Sequence, residues 1–260
     1  MAVMTPITAP EQSGSEPSDF GQSGPRAAAG DVVYAVGDLH GRSDLLDHMQ
    51  GLILADAAGR AAERRWIVYL GDYVDRGRDS KGVIERLVAG PPAGFEQVCL
   101  MGNHEAWLLD FLTDARHGAG WLMNGGEETL ASYGVTVGGG LGRDRLKGAR
   151  AALAAALPAA HRAFLVGLAL MWRCGDYAFV HAGVRPGVAL AAQDRRDLLW
   201  IRDEFLDAED DFGAVVVHGH TIGDTPDVQA NRIGIDTGAF ATGRLTCLAL
   251  EGNKRRFLQT

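Results

Sequence analysis

The chain is short of cysteine, aromatic residues and positive charge, and it has no long apolar run. Its three cysteines, Cys99, Cys174 and Cys247, lie far apart with no CxxC pair, so they read as buried reduced thiols, not as a disulfide framework. That usage suggests a cytoplasmic compartment. No basic stretch followed by an apolar core opens the sequence, and Arg150, Pro158, His161 and Arg162 break the most apolar later stretch. Neither an export signal nor a membrane span is therefore expected. Lysine and arginine total 25 against 33 acidic residues, a formal charge of −8, so the broad positive field that gathers nucleic acid or anionic membrane is missing. Any anion handled here needs a local device.

What is present is a folded-domain composition. Hydrophobic residues make up 47% of 260, and a chain of this length buries roughly 75% of its unfolded surface without covalent staples. Glycine supplies 35 of the residues against a usual share of about 7%, which suggests many turns at positive φ or close to a ligand. Residues 1–30 are rich in Ser, Pro, Gly and Ala without periodicity and read as a disordered tail, because they cannot offset their own ordering entropy. Residues 31–260 then form one domain.

From Asp31 onward, short β-rich runs alternate with amphipathic stretches, the pattern of β-α-β units. The main runs are 32–36, 66–70, 98–101, 177–180 and 214–217, with a final pair at 232–235 and 245–250. Their continuous apolarity predicts strands buried on both faces. Ser43 and Ser80 are expected to cap the helices that follow the first two runs, and Pro91-Pro92 to stop the second helix. Residues 104–170 read as mainly helical.

Each main run ends in residues suited to divalent cations: Gly37-Asp38-Leu39-His40-Gly41, then Gly71-Asp72-Tyr73-Val74-Asp75-Arg76-Gly77, Gly102-Asn103-His104-Glu105, His181-Ala182-Gly183 and His218-Gly219-His220-Thr221. In open α/β sheets ligands collect at the carboxyl ends of strands, so these ends could meet in one crevice. Asp38 and His40 can hold one metal. Asp72 can bridge to a second, whose other ligands would be Asn103, His181 and His220. Two such ions can clamp a phosphoryl group and acidify a bridging water, which makes hydrolysis at phosphorus the expected reaction. His48, His117 and His161 lie outside these motifs and read as ordinary packed or surface side chains; His218 reads as a supporting or structural residue.

In this order the motifs GDLHG, GDYVDRG, GNHE, VHAG and GHT resemble the calcineurin-like metallophosphoesterases. GDYVDRG followed by GNHE is similar to the serine/threonine phosphoprotein phosphatases, in particular a bacterial and phage branch. The resemblance implies an α/β fold of two stacked β-sheets flanked by helices, with two divalent ions at one edge, Mn²⁺ first and Fe or Zn as alternatives. It also implies that Asp38, His40 and Asp72 hold one ion and that Asp72, Asn103, His181 and His220 hold the other. His104 would then be the general acid, oriented by Asp75, while Arg76 and Arg202 grip the phosphate. Attack would come from a hydroxide bridging the metals on a phosphorylated protein or small phosphoester. Planar guanidinium forks suit phosphate oxygens, and a carboxylate beside His104 would keep it protonated.

Departures from the pattern bear on substrate. Met101 stands where eukaryotic members carry Arg, and their C-terminal substrate-groove segment has no counterpart. Dinucleoside polyphosphate hydrolases of the diadenosine tetraphosphate type, the enzymatic alternative, commonly lack the Asp75-Arg76 pair and carry Asp in place of Glu105. A metal-stabilised binding module is the non-enzyme alternative. A helical insertion is expected at about 113–170, near the active site. Its Trp121–Gly126 segment resembles one in bacterial members, and its glycine pair could present N–H groups to an anion or form a plain turn. Leu153, Leu157, Phe164 and Leu168 are expected in the core. Ile235-Asp236-Thr237-Gly238-Ala239 looks like an aspartic-protease signature, but that chemistry needs two paired carboxylates, so it reads as a loop bordering the site.

Overall fold

The computed structural model describes residues 24–136 and 142–260. Strands β1 (Asp31–Val36), β2 (Arg64–Tyr69) and β3 (Glu96–Cys99) run parallel, with helices α1 (Ser43–Ala57) and α2 (Ser80–Ala89) as crossovers. A helical region follows: α3 (Asn103–Thr113), α4 (Gly118–Trp121), α5 (Glu127–Ser132), α6 (Arg143–Ala156) and α7 (Ala159–Val166). Next come β4 (Met171–Cys174), β5 (Tyr177–Val180), the short helices α8 (Arg195–Trp200) and α9 (Asp203–Leu206), β6 (Val215–His218), β7 (Asp227–Val228) and β8 (Arg232–Gly234). The chain closes with α10 (Ala239–Thr242), β9 (Thr246–Glu251) and β10 (Lys254–Gln259).

The strands form two five-stranded sheets, ordered β10-β9-β1-β2-β3 and β4-β5-β6-β8-β7. Side-chain alternation makes them stack. Val33, Ala35, Val68, Leu248 and Leu250 of the first sheet share a buried cluster with Tyr177, Phe179, Val215, Val217 and Ile233 of the second. The opposite faces are also covered. Val32, Tyr34 and Val36 pack on α1, α2 and the helical region, while Val180 and Val216 pack on Leu198, Ile201 and Phe205. This is why β1, β5 and β6 are buried throughout. β3 departs from the expectation, since as an edge strand it is only half-buried.

Several local expectations need correction. Ser43 and Ser80 are the first residues of their helices and cap neither. Asp79 caps α2 by accepting from Gly82 N–H, while the Ser43 hydroxyl donates to Asp79. The expected final strand pair does not pair: β8 and β9 lie in different sheets, and residues 235–245 cross between them. The expected tail ends too late. Ala27 is buried and its N–H donates to Gly252 O, while Arg26 N–H donates to Asp176. Residues 1–23, the rest of that expectation, lie outside the described residues. Leu153, Leu157 and Leu168 are buried as expected, with Phe164 packed against them. No helix among the described residues is long and apolar enough to cross a membrane.

Candidate metal centre

β1, β2, β5 and β6 deliver their carboxyl ends to one rim, and the backbone there is unusual. Among the described residues, the non-glycine positions at positive φ are His40, Asp72, Asp75, Arg76 and His220. All five are candidate site residues. Left-handed backbone costs an ordinary residue of order 1–3 kcal/mol and persists where surrounding structure fixes it. Here Glu105 does much of the fixing, because its buried carboxylate accepts N–H bonds from Asp72, Tyr73, Val74 and Gly102. Burial, with the nearby Asp72 charge, pushes Glu105 up to about 8.

Asp72 stands between two clusters that could each hold a metal ion: His40, Asp72 and His104 on one side, and Asp72, His181 and His220 on the other. Asp72 Oδ2 lies 3.4 Å from His40 Nε2 and 3.9 Å from His104 Nε2. Its Oδ1 lies 3.5 Å from His181 Nε2 and accepts the His104 N–H. Asn103 Oδ1 is 2.8 Å from His181 Nε2. Asp38 accepts the His220 N–H through Oδ2, and its Oδ1 has no partner.

The donor set fits a pair of divalent cations. His40 Nδ1 faces Val74 O at 2.9 Å and His181 Nδ1 faces Leu70 O at 3.0 Å. Each carbonyl takes the Nδ1 proton of a neutral ring and leaves the Nε2 lone pair turned into the site. There His40 Nε2, which Arg76 Nη1 also approaches, meets a carboxylate oxygen and His181 Nε2 meets Asn103 Oδ1, so acceptor faces acceptor in both pairs. A cation resolves such pairs. The buried atoms Asp38 Oδ1 and His220 Nε2 likewise have no protein partner, although buried polar atoms normally have one. Burial pushes His40 down to about 3 and His220 down to about 2, and it lowers His181. These imidazoles are neutral, as metal ligands must be.

His104 differs from the other three. Burial opposes its charging, but the Asp72 charge and the bond to Asp75 outweigh burial and hold it above the ordinary imidazole range. Its Nδ1 is 2.6 Å from Asp75 Oδ2. Distance alone groups His104 with His40 and Asp72 and omits Asp38.

Arg76 places Nη1 3.1 Å from His40 Nε2 and Nη2 3.2 Å from His104 Nε2, with its guanidinium 4.8 Å from the Phe240 ring centre. Arg202 is exposed at the rim, where Nη1 donates to Thr221 Oγ1 at 3.2 Å. Asp236 is buried and accepts Gly238 N–H, and its charge acts on Asp38, so the protease-like segment does border the site. His161 bonds Tyr133, away from the clusters. His218 is buried against Phe205. The sequence reading missed Phe240 and the pair Trp107 and Trp200, whose rings lie 4.8 Å apart and adjoin His104 and His220. It flagged the Trp121–Gly126 segment but not the bond from Trp121 to Asp75, and it missed Thr129, which also bonds Asp75. Only their proximity to flagged motifs could have drawn attention to them.

Comparison with known proteins agrees with this architecture. The family model for calcineurin-like phosphoesterases matches residues 32–233. A solved structure of a candidate diadenosine tetraphosphatase aligns at TM-score 0.58 and 21% identity, covering 90% of this chain and 98% of that one. A cold-active protein-tyrosine phosphatase of a psychrophilic Shewanella aligns at 0.52 and 17%, covering 88% and 80%. A protein serine/threonine phosphatase from Saccharomyces cerevisiae aligns at 0.51 and 16%, covering 88% and 79%. At these identities the likeness concerns the fold. No curated protein matches the chain significantly. With the family match spanning most of the sequence and the motif residues meeting at one strand-end rim, the chain belongs to the calcineurin-like phosphoesterase family.

Proposed function

We propose that the protein is a two-metal phosphomonoesterase of the serine/threonine protein phosphatase type. The observation that carries this reading is Asp72, which offers one carboxylate oxygen to each histidine cluster beside a His104–Asp75 pair held at 2.6 Å. Asp38, His40 and Asp72 would hold one divalent ion, most simply Mn²⁺, and Asp72, Asn103, His181 and His220 the other. When bound, the two ions supply Lewis acidity and a water acidic enough to attack phosphorus near neutral pH.

The chain's own residues do the rest. Arg76, seated on Phe240 and pointing into the site, binds the phosphoryl oxygens with Arg202 and offsets the charge that develops on them. His104 faces the leaving group through Nε2 while Asp75 holds Nδ1. As the bond from phosphorus to the leaving oxygen breaks, its electron pair stays on that oxygen, which takes the Nε2 proton; solvent then reprotonates His104. Proton donation of this kind contributes about 10²–10⁴-fold.

A second reading, hydrolysis of a dinucleoside polyphosphate, has its own support. Trp107 and Trp200 set aromatic faces beside His104 and His220, and a cleft of about 540 Å³ lined by Asp194, Arg195, Arg196, Leu199 and Trp200 adjoins them. Rings and cations together suit a base and its phosphate chain. Asp75-Arg76 favours the first reading. The deciding experiment compares kcat/KM on a panel of phosphoserine and phosphothreonine peptides with diadenosine tetraphosphate, in Mn²⁺. Preference for the peptides supports the first reading and preference for the dinucleotide the second. Two metals bound per chain with no turnover of any phosphoester would overturn both.

A further inference from the structure

The His104–Asp75 pair is gripped from outside the metal motifs, by the helical region between β3 and β4. Trp121 closes α4, is fully buried, and donates its Nε1–H to Asp75 Oδ2 at 2.8 Å, the same oxygen that faces His104. Thr129, in the first turn of α5 and equally buried, donates its hydroxyl to Asp75 Oδ1 at 2.6 Å. The same hydroxyl accepts Asp75's own N–H at 2.8 Å and lies 3.0 Å from Ser80 Oγ. Asp75 is therefore bonded at both carboxylate oxygens and at its amide. The next residue is held too. Arg76 N–H donates to Gly125 O at 3.0 Å, and Gly125 sits at φ 102, where an added Cβ would lie 2.5 Å from Arg76 N.

An imidazole tied to a single carboxylate turns wherever that carboxylate turns. Donors on both oxygens fix the carboxylate plane, and the plane fixes the ring. Of the glycine pair, Gly125 makes a close seat for Arg76 and Gly126 lies against the Trp121 ring. We propose that Trp121 and Thr129 are positioning residues for proton donation by His104, so that α4 and α5 belong to the reaction machinery and not only to the core. This inference rests on His104 being the proton donor.

The test uses the full chain with Mn²⁺ and two substrates that differ mainly in leaving-group acidity, phenyl phosphate and p-nitrophenyl phosphate. Trp121→Phe and Thr129→Val each remove one donor while keeping bulk. Each should lower kcat on phenyl phosphate by about 10- to 100-fold, with far less loss on p-nitrophenyl phosphate and little change in KM. Thr129→Ser, which keeps the hydroxyl, should restore the rate. In the metal-free protein, imidazole NMR should show the His104 Nδ1–H protected from exchange in the parent and in Thr129→Ser, but less so in Thr129→Val. Equal fractional losses on both substrates with unchanged protection would mean a structural role and overturn the inference. His104→Asn is the control for the underlying reading. If its loss is indifferent to the leaving group, His104 is not the proton donor and the premise itself fails. The two substitutions act on different helices, so misfolding of one leaves the other to decide.

Discussion

Asp72 does at residue scale what no other side chain in the site does: its two oxygens serve separate clusters, while its own backbone sits at φ 50 under the Glu105 clamp. Replacing it with Asn removes the charge that both metals would share. Asp72→Asn should therefore lose metal and fall by more than about 100-fold in kcat even on p-nitrophenyl phosphate, beyond the range typical of supporting residues. His104→Asn should fall much less on that substrate, because a good leaving group needs little protonation, and should approach a loss of about 10²–10⁴-fold only on alkyl phosphates. Metal content by elemental analysis and steady-state rates check the pair. Comparable losses on p-nitrophenyl phosphate would contradict the assigned roles. The ligand candidates were legible because each motif is local. Which oxygen of Asp72 faces which histidine was not, since it depends on a left-handed turn that sequence pattern does not encode.

At the scale of elements, strands end in turns so tight that a side chain would collide with the site. Gly219 is the clearest case: a Cβ there would lie 2.0 Å from Asp38 Oδ1, one of the orphaned acceptors. Gly219→Ala should displace Asp38 and cost one metal per chain with little loss of secondary structure, as elemental analysis and circular dichroism would show. Two bound metals in that variant would show that Asp38 is not a ligand. The buried strands were readable from continuous apolar runs, whereas β4, β7 and β10 were not. β10 opens on three consecutive charged residues, Lys254-Arg255-Arg256, and β7 has two residues, so their pairing comes from the neighbouring strand more than from their own composition. Ser43 and Ser80 look like caps by type, yet their hydroxyls serve tertiary contacts with Asp79 and with Asp75 and Thr129. Local propensity yields to such contacts.

For the whole molecule, the formal charge of −8 misdescribes the pocket once two divalent ions and Arg76 are counted. The metal-free site concentrates carboxylates. Burial, with the charges of Asp236 and Asp72, holds Asp38 well above the usual carboxylate range. A cation needs that group ionised, so binding must release its proton, while His40 and His220, already neutral, add no competing protons. Metal affinity should accordingly weaken as pH falls. At 100 times its Kd, each bound Mn²⁺ should stabilise the fold by about 2.7 kcal/mol, or about 5–10 °C in Tm for a domain of this size. That gain should shrink steadily from pH 8 to pH 5 in thermal melts. A gain that grows on acidification would contradict the ligand assignment. The sequence by itself determined the family, and through that resemblance the two-sheet architecture and the candidate ligands, because each motif is contiguous in the chain. Only the tertiary structure decided that Trp121 and Thr129, 46 and 54 residues from Asp75, hold the carboxylate that bonds His104, and that Phe240 seats Arg76. Those contacts join segments whose approach is set by the packing of helices and sheets, and nothing in the local pattern of either partner announces the other.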